Sequence, residues 1–507
     1  MKSSRVSQRE IPGPRPRTIT AAEAAMLITD GVTVAGDGFG MMGVADEVYA
    51  AIEERFLTSH SPVGITLVHT SGQSNKLAGI TRFAYPGLLK RVVGAHWGRT
   101  PKLSQLIVDN EVEGVCLPQG QLAALYRAAA ARRPGMLSTV GLNTFVDPRL
   151  DGGRVNELAF RNIESDEYVG LVSVGQQEYL LYKAITPDIG IIRGSRVDVA
   201  GNVSQEKEAA GLDTLSVAQA TRNSGGLVIV QAEEIVPLGA IDARDVTVPG
   251  ALVDYVVPCT DVGRFHRQTD MTAYDPRLVT GSATAQQLAA GVSATPVDPV
   301  RLAIGRRAVS LVHPGDVINA GTGIPGDSVG PALFEAGLLD KVTMTVESGV
   351  YGGIPLGGLD FGAAYNPSAI ISHAHQFDFY NGGGVDIAFM GVGEITSAGD
   401  VNVSKFGGRV TGVGGFLDIL DRAKRVCFLL DLNNGRRKIV DEVEHLTFHG
   451  ATALDKGQEV YLITESFILR LRRYGWELHD VADRATAQRD LAALATFSII
   501  NGADARG

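Results

Sequence analysis

The stretch Val317-Ile-Asn-Ala-Gly-Thr-Gly-Ile-Pro325 lies in the second half of the chain, and a helix-length interval separates it from Val342-Thr-Met-Thr-Val-Glu-Ser-Gly349. Each stretch begins with a run of β-branched residues and ends at a glycine turn. This order is typical of a strand, a helix and a second strand in a parallel sheet. The pair therefore predicts a βαβ unit and an α/β fold class.

The same pattern occurs in the first half of the chain. Val32-Thr-Val-Ala-Gly-Asp-Gly-Phe-Gly40 precedes Ile65-Thr-Leu-Val-His-Thr-Ser-Gly72, again with a helix-length interval between them. Another pair repeats, because Asp188-Ile-Gly-Ile-Ile192 matches Asp386-Ile-Ala-Phe-Met390. The repetition predicts two similar open, mostly parallel α/β domains in one chain, with a cleft between them where ligands commonly bind.

The duplication also sets the predicted domain boundaries. We expect an N-terminal domain at 18–255, a linker at 256–295 and a C-terminal domain at 296–485. Residues 1–17 contain several arginines and prolines and are predicted to form a disordered arm, since proline interrupts regular structure. Residues 486–507 are predicted to form a helix and a frayed tail.

Composition limits the classes of function. The chain has 507 residues and a formal net charge of -10, which disfavours a nucleic-acid partner because phosphate binding needs clustered Lys and Arg. It has no run of roughly 18 apolar residues and no apolar signal core near its start, so we expect a cytoplasmic protein with no membrane partner. The three cysteines are scattered, which argues against a disulfide framework or a cysteine metal site.

One residue breaks the symmetry of the two halves. When the Ser-Gly ends are aligned, Glu347 takes the place of Thr70, so only the second half has an acidic residue at the end of this strand. Open α/β sheets place ligands at the carboxyl ends of their strands, and an ionised carboxylate can act as a nucleophile without a general base. From this pattern alone, Glu347 is either a nucleophile that attacks a thioester or a structural surface glutamate.

Two further motifs suggest other functions. Gly38-Phe-Gly-Met-Met-Gly43 fits the GxGxxG pattern of dinucleotide-binding oxidoreductases, but no acidic residue ends the next strand to hold a ribose. These glycines also fit a plain tight turn. His373 and His375 have the spacing of metal ligands, yet no carboxylate or cysteine cluster accompanies them, so no metal is predicted.

A set of short motifs permits comparison with a known family. They are Gly94-Ala-His-Trp-Gly98, Leu117-Pro-Gln-Gly120, Gly141-Leu-Asn-Thr-Phe-Val-Asp-Pro148, Gly321-Thr-Gly-Ile-Pro325, Val346-Glu-Ser-Gly349, Gly357-Gly-Leu-Asp-Phe361, Gln376-Phe-Asp-Phe-Tyr380, Gly382-Gly-Gly384, Asn402-Val-Ser-Lys-Phe406 and Gly412-Val-Gly-Gly-Phe416. In these motifs the chain after residue 17 resembles the family I coenzyme A-transferases that act on propionate, acetate or 3-ketoacids. The resemblance implies the CoA-transferase fold, with α-like and β-like domains fused.

The resemblance also implies a reaction and its site residues. Members of the family move CoA from a short-chain acyl-CoA to a carboxylic acid in ping-pong fashion, through an acyl-glutamyl anhydride and a glutamyl-CoA thioester, here on Glu347. It implies that Gln119 and Asn319 stabilise oxyanions, and one preorganised amide donor is worth about 3–4 kcal/mol. The implied CoA- or substrate-binding positions are Gly323, Gly349, Gly414 and Gly415.

The partners implied are acyl-CoA and small carboxylic acids, with CoA as co-substrate, no further cofactor, and assembly as a homodimer or homotetramer. The sequence departs from the family pattern at 69–71, 372–375 and 431–437, which leaves the acid substrate open. We hypothesise that Tyr351 or His375 borders the acyl pocket. Two alternatives stay open: an acyl-CoA hydrolase on the same scaffold, in which water intercepts the acyl-glutamyl intermediate, and a non-catalytic acyl-CoA-binding protein.

Overall fold

A computed structural model describes residues 16–281, 297–481, 490, 499 and 500. Most of the predicted N-terminal arm, the end of the predicted linker and most of the predicted C-terminal helix and tail lie outside the described residues. Arg17, the last residue assigned to the arm, begins a strand, and Ile499–Ile500 form another.

The first half contains the following described elements. Its strands are β1 (Arg17–Thr18), β2 (Thr33–Gly36), β3 (Ile65–His69), β4 (Leu89–Gly94), β5 (Glu113–Cys116), β6 (Gly135–Ser138), β7 (Val169–Val174), β8 (Gln177–Lys183), β9 (Ile189–Asp198), β10 (Val203–Ser204), β11 (Leu227–Val236) and β12 (Tyr255–Pro258). Its helices are α1 (Ala21–Met26), α2 (Asp46–Ser59), α3 (Pro101–Val108), α4 (Gln119–Ala130), α5 (Glu157–Asn162), α6 (Thr214–Asn223) and α7 (Val262–Phe265), with 3-10 turns at Gly79–Phe83, Gly250–Leu252 and Pro276–Leu278.

One large sheet organises this half. Its order is β1-β12-β11-β9-β2-β3-β4-β5, all neighbours on this path run parallel, and β10 pairs antiparallel with β9. The two strands predicted from the first half of the duplication are β2 and β3, and Val34 lies opposite Leu67 in their ladder. A separate antiparallel sheet contains β6, β8 and β7.

The second half contains the remaining described elements. Its strands are β13 (Val317–Ala320), β14 (Thr343–Val346), β15 (Val350–Tyr351), β16 (Ile354–Pro355), β17 (Ala364–Tyr365), β18 (Ala369–Ile370), β19 (Ile387–Gly391), β20 (Glu394–Ile395), β21 (Val401–Asn402), β22 (Lys405–Phe406), β23 (Arg409–Val410), β24 (Arg425–Leu429), β25 (Glu459–Ile463), β26 (Phe467–Arg472), β27 (Gly475–Val481) and β28 (Ile499–Ile500). Its helices are α8 (Pro299–Val309), α9 (Ile324–Glu335), α10 (His373–Asn381), α11 (Phe416–Asp421), α12 (Leu432–Gly435) and α13 (Gly450–Asp455), with 3-10 turns at Gly358–Asp360 and Arg436–Lys438.

The second large sheet has a parallel centre, β14-β13-β19-β24-β25, which antiparallel strands extend on both sides. The predicted βαβ unit is β13-α9-β14, and Val317 lies opposite Thr343. Strand residues such as Val34, Leu67 and Ile318 are fully buried, because helices and loops cover both faces of a parallel sheet, and each such side chain contributes about 1.5–3 kcal/mol by its burial. The prediction of two similar, mostly parallel α/β domains is confirmed.

The segment predicted as a linker packs against both halves over its described part. β12 continues to Pro258, so the sheet of the first half extends past the predicted boundary at 255. Beyond it, Gln268 donates a hydrogen bond to the carbonyl oxygen of Lys207 at 2.8 Å, and the backbone N–H of Met271 donates to Asp360 at 2.9 Å. Among the helices of the described ranges, none is both long enough and apolar enough to cross a membrane.

Candidate active site

Glu347 directly follows β14, at the carboxyl end of a strand that pairs in parallel with β13. A turn over residues 347–349 leads into β15, which returns antiparallel to β14. Gly349 has a φ of 97°, and a Cβ atom on it would lie 2.0 Å from the carbonyl oxygen of Ile371, so the turn requires glycine. After this reversal Glu347 is half-buried at the carboxyl end of the parallel strands.

A cavity of about 740 Å³ between the two halves contains Glu347. Gln119 and Arg99 line it from the first half, and Arg301 and Lys438 line it from the second. The cavity therefore lies in the cleft that the duplication predicts, and groups from both halves reach the same space.

Hydrogen bonds across the boundary between the halves hold Gln119 at this cavity. The backbone N–H of Gln119, at the start of α4, donates to the carbonyl oxygen of Gly414 at 3.1 Å, and the N–H of Gly414 donates to the carbonyl oxygen of Ala95 at 2.8 Å. The N–H of Trp97 donates to the carbonyl oxygen of Thr411 at 2.7 Å. We call this set of bonds, between residues 95–98 and 119 on one side and 411–414 on the other, the domain seam.

Burial sets the electrostatics of Glu347. It raises the pKa of the carboxyl group to about 7, against the opposing effect of the positive charges of His373 and Arg99. A carboxylate that has lost part of its water is disfavoured in its charged form. At neutral pH a carboxyl group with this pKa is divided between its ionised and its protonated form.

Arg99 is a site residue that the sequence reasoning missed. Its guanidinium donates to the carbonyl oxygens of Leu359 at 2.7 Å and Gly358 at 2.6 Å, so a loop of the second half holds it in the cavity. Burial lowers the pKa of Arg99, and the charge of Glu347 opposes that effect most strongly. Its position directly after the Gly94–Gly98 motif was the available signal, but only the fold shows that it reaches Glu347.

The glycines predicted to bind CoA or substrate differ in their positions relative to the cavity. Gly323, Gly414 and Gly415 line the cavity. The N–H of Gly414 is already used in the domain seam, so this amide is not free to bind a ligand. Gly349 is not among the described residues that line the cavity, and its conformation serves the turn after Glu347.

Asn319 does not reach the cavity, in contrast to its implied role as an oxyanion donor. Its side chain is fully buried in β13. The amide nitrogen lies 3.1 Å from the hydroxyl of Tyr380 and 3.4 Å from the carbonyl oxygen of Thr345, and donates to both. Its N–H groups are therefore directed into the sheet, where they position Tyr380 beneath the strand that precedes Glu347.

Tyr351 and His375 are also absent from the described lining of this cavity, so the hypothesis that either borders the acyl pocket loses its geometric basis. Tyr351 packs against the ring of Phe379, with centroids 6.0 Å apart. His375 is exposed, its ring lies 2.7 Å from the hydroxyl of Ser372, and it lines a second cavity of about 710 Å³. His96 is the histidine among the described lining residues, and His373, which is not among them, contacts the lining residue Gln119.

The Gly38–Gly43 loop serves as a tight turn. The N–H of Gly43 donates to Glu208 at 3.1 Å, and a Cβ on Gly43 would lie 2.3 Å from the side chain of Leu212. A side chain at position 43 would therefore clash, which is a sufficient reason for glycine in this turn. Over the described ranges, no group of three or more His, Cys, Asp or Glu side chains could hold a metal ion.

Among the departures from the family pattern, some residues are buried in the core and others line the cavity. His69 is fully buried, its Nδ1 lies 2.7 Å from the carbonyl oxygen of Ser71, and the indole N–H of Trp97 donates to its Nε2 at 3.1 Å. Burial lowers its pKa to about 4, so it is a neutral packing residue. Asp431 and Asn434, by contrast, line the cavity.

Comparisons with known proteins agree with this architecture. The coenzyme A transferase family model matches residues 18–258. The chain is 37% identical to a caffeate CoA-transferase of Acetobacterium woodii over 96% of this chain and 95% of that protein. It is 34% identical to the acetate CoA-transferase YdiF of Escherichia coli (strain K12), over 93% of this chain and 90% of that protein.

A solved structure shows the same fold. The acyl-CoA transferase YdiF of Escherichia coli O157:H7, crystallised as a thioester complex with CoA, superposes with a TM-score of 0.86 at 31% sequence identity, over 97% of this chain and 95% of that one. The agreement covers both halves and the boundary between them. The chain therefore belongs to the coenzyme A transferase family and is an enzyme that transfers CoA.

Proposed function

We propose that this enzyme transfers CoA from a short-chain acyl-CoA to a carboxylic acid through covalent intermediates on Glu347. The observation that carries the proposal is the position of this carboxylate, half-buried at the end of β14 in the cavity between the halves. An ionised carboxylate has no proton to lose, so it attacks a thioester without a general base. Its partial removal from water supports the attack further.

The proposed steps balance at Glu347. A carboxylate oxygen bonds to the acyl carbon, the C–S bond breaks, and CoA leaves as the thiolate, which gives an acyl-glutamyl anhydride. The thiolate then attacks the glutamyl carbon, the anhydride C–O bond breaks, and the first acid leaves as a carboxylate. A glutamyl-CoA thioester remains. A second carboxylate runs both steps in reverse, so no proton, electron or water molecule is consumed.

The amide of Gln119 supports the proposal as the donor to the developing oxyanion. Each attack places negative charge on a carbonyl oxygen, and one preorganised amide donor typically lowers the barrier by about 3–4 kcal/mol. Gln119 lines the same cavity as Glu347, although only 2% of its surface is exposed to solvent. We leave Asn319 out of this role because its amide donates to Thr345 and Tyr380.

The rest of the cavity suits CoA. The glycines at positions 391, 393, 414 and 415 line it and have no side chains to fill it, so a pantetheine arm finds room beside the backbone. Arg301 and Lys438 line it as well and supply positive charge for phosphate groups. Lys438 donates to the carbonyl oxygen of Val392 at 2.7 Å, which fixes its ammonium group near this part of the lining.

Arg99 is proposed to hold the carboxylate of the acid substrate. Its guanidinium has five N–H groups, and two hydrogen bonds to the carbonyls of Leu359 and Gly358 leave other donors for a ligand. A cation beside Glu347 also offsets the repulsion between two carboxylates in one site. Relatives are named for caffeate and for acetate, so aromatic and short acids form the two ends of a suitable acceptor panel.

Intact-protein mass spectrometry tests the proposal. Wild-type protein incubated with acetyl-CoA or propionyl-CoA should gain a CoA-sized adduct, which borohydride should reduce to an alcohol at position 347. Glu347→Gln should gain none. The matched control is Glu335→Gln, because Glu335 is largely exposed on α9 and pairs with Arg306 at 2.6 Å. It should form the adduct as the wild type does.

Other outcomes point to the alternatives. CoA release that does not depend on added carboxylate, without an accumulated adduct, would indicate an acyl-CoA hydrolase. Saturable binding with an unchanged acyl-CoA pool would indicate a non-catalytic binding protein. The homodimer or homotetramer and the cytoplasmic location stay predictions, and size-exclusion chromatography with light scattering tests the first of them.

A further inference from the structure

A buried polar contact lies directly behind the candidate oxyanion donor. Nε2 of His373 lies 2.8 Å from Nε2 of Gln119, and Nδ1 of the same ring lies 2.8 Å from Oδ2 of Asp213. The side chains of His373 and Asp213 are only 3% and 1% exposed. Gln119 and Asp213 belong to the first half and His373 to the second, so this contact also crosses the boundary between the halves.

Further groups hold the imidazole in place. Oδ1 of Asp37 accepts a hydrogen bond from the backbone N–H of Asp213 at 3.0 Å, which fixes the segment that carries the Asp213 carboxylate. The rings of Phe39 and Phe377 lie against His373, with centroids 6.2 Å and 5.0 Å away. The ring of His373 is therefore enclosed between apolar faces and one carboxylate, with a single polar contact left on its other side.

That remaining contact joins two nitrogen atoms, and only one of them can donate. If His373 is neutral, its Nδ1–H donates to Asp213 and its Nε2 accepts from the NH₂ group of Gln119. If His373 is a cation, Nε2–H donates, and the Gln119 amide must rotate by half a turn to present its oxygen. Amide orientation in a structure is an assignment made from the hydrogen-bond network, so the protonation state of His373 decides between these arrangements.

The surrounding charges favour the cation. Burial lowers the pKa of His373, but the carboxyl groups of Asp213, Asp37 and Glu347 raise it, and the result lies above the ordinary value. These three carboxyl groups come from three different segments of the fold, and all act in the same direction. A cationic His373 turns the oxygen of the Gln119 amide towards itself and the NH₂ group towards the side where Gly414 and the cavity lie.

We propose that His373, held by Asp213, is a positioning residue that fixes the Gln119 amide with its NH₂ group directed at the reacting carbonyl beside Glu347. The inference rests on the proposed covalent function of Glu347. The opposite orientation would direct a carbonyl oxygen at a developing oxyanion, which repels it. Loss of the imidazolium should thus cost as much as loss of the donor, which is typically about 100-fold or more in kcat.

The first test compares His373→Leu with His375→Leu on the same helix. His373→Leu removes the imidazolium and keeps an apolar side chain between Phe39 and Phe377. We expect kcat at the pH-independent maximum to fall about 100-fold, with a change in KM for acyl-CoA of less than about threefold, because only the transition state gains from the donor. His375→Leu should behave as the wild type does. Wild-type kcat in His373→Leu would overturn the inference.

A double mutant separates positioning from a merely structural role. Once Gln119→Ala has removed the amide, His373 has nothing to orient, so Gln119→Ala/His373→Leu should be no slower than Gln119→Ala alone. Taking each kcat from the pH-independent maximum keeps changes in the ionised fraction of Glu347 out of the comparison. A double variant whose loss of kcat equals the product of the two single losses would overturn the inference.

A pH profile needs no substitution at His373, so it decides the question even if His373→Leu fails to fold. In the wild type, kcat/KM for acyl-CoA should fall as the pH rises through the pKa of His373, because the neutral ring lets the Gln119 amide turn. Gln119→Ala should lack this alkaline limb, and a limb that persists there would overturn the inference. If the wild type forms no glutamyl-CoA adduct, the proposed function is contradicted as well. If the adduct forms but the kcat losses of Gln119→Ala and His373→Leu multiply in the double variant, only the role of His373 is contradicted.

Discussion

The two halves bring the same βαβ unit to the cavity and end it in different ways. In the first half β3 ends at His69 and leads into Thr70, and both side chains are almost fully enclosed by protein. In the second half β14 ends at Val346 and leads into Glu347, which lies half-buried at the cavity. A duplicated fold thus supplies two equivalent strand ends, of which one serves packing and the other carries the candidate nucleophile.

The comparison shows how burial acts on two titratable groups in opposite ways. Burial lowers the pKa of His69 to about 4 and raises that of Glu347 to about 7. His69 becomes inert because it is neutral at every physiological pH and has internal hydrogen-bond partners. Glu347 lines a cavity that a ligand can enter, which suits the proposed reaction of its charged form.

The largest loss of kcat should come from placing at the strand end of the second half the residue that the first half has there. Glu347→Thr places the residue of the first half at the strand end and removes the nucleophile. We expect kcat to fall on the order of 10⁴-fold or more, since removal of a covalent nucleophile typically has effects of this size. Steady-state kinetics with acetyl-CoA and a panel of acids measures it, and thermal unfolding serves as the control for folding. A loss of kcat smaller than about tenfold would contradict covalent catalysis at this position.

A smaller effect should follow from loss of the group that the first half contributes to the site. Gln119→Ala removes the amide donor and should lower kcat about 100- to 1000-fold, with little change in KM. Gln121→Ala is the matched variant, because Gln121 lies on the same helix and donates to Asp418 at 2.8 Å instead. It should lower the unfolding temperature and leave kcat of the folded protein near the wild-type value. Equal losses of kcat in both variants would point to general damage to α4.

The raised pKa of Glu347 predicts an acid limb in the pH profile. Under the proposed mechanism only the deprotonated carboxylate attacks, so kcat/KM for acyl-CoA should fall about tenfold per pH unit below the pKa, which lies at about 7. Above this pKa, kcat/KM should decline only along the alkaline limb assigned to His373. His69, with its pKa near 4, should leave no mark on this range. Initial rates measured between about pH 5 and pH 8 at constant ionic strength determine this acid limb. A limb near the ordinary glutamate pKa would contradict the predicted effect of burial.

The smallest effect on the reaction should come from a substitution at the strand end of the first half, which should instead lower the stability of the fold. His69→Ala leaves the indole N–H of Trp97 without its acceptor and opens a void, so the free energy of unfolding should fall by about 3 kcal/mol. Urea denaturation measures this change. The folded fraction should still form the adduct on Glu347, and a protein of unchanged stability that forms no adduct would instead place His69 in the reaction.

Local patterns predicted the fold and the strand end at which Glu347 lies, because β-branched runs and glycine turns are properties of short segments. The two βαβ units and the place of Glu347 at a strand end follow from such segments. Arg99 and the partners of His373 could not be predicted in this way, since they depend on contacts between residues far apart in the chain. Gly358, for example, accepts from Arg99 across 259 positions.

The observed positions of Asn319 and His375 differ from the sequence-based expectations for reasons of geometry. His373 and His375 are two positions apart on α10, so their side chains point about 200° apart around the helix axis, and only one of them can face Gln119. In a strand, alternate side chains face opposite sides. Asn319 takes the side that holds Tyr380, which the motif around it did not indicate.

The domain seam has a mechanical consequence. Because Gly414 accepts from Gln119 and donates to Ala95, the joint between the halves lies beside the proposed reaction site, with the proposed nucleophile Glu347 on one side of the joint and the proposed oxyanion donor Gln119 on the other. A hinge opening along this joint would separate these two side chains and, under the proposed mechanism, stop the reaction. Under the proposed mechanism, the halves must therefore stay docked through every covalent step.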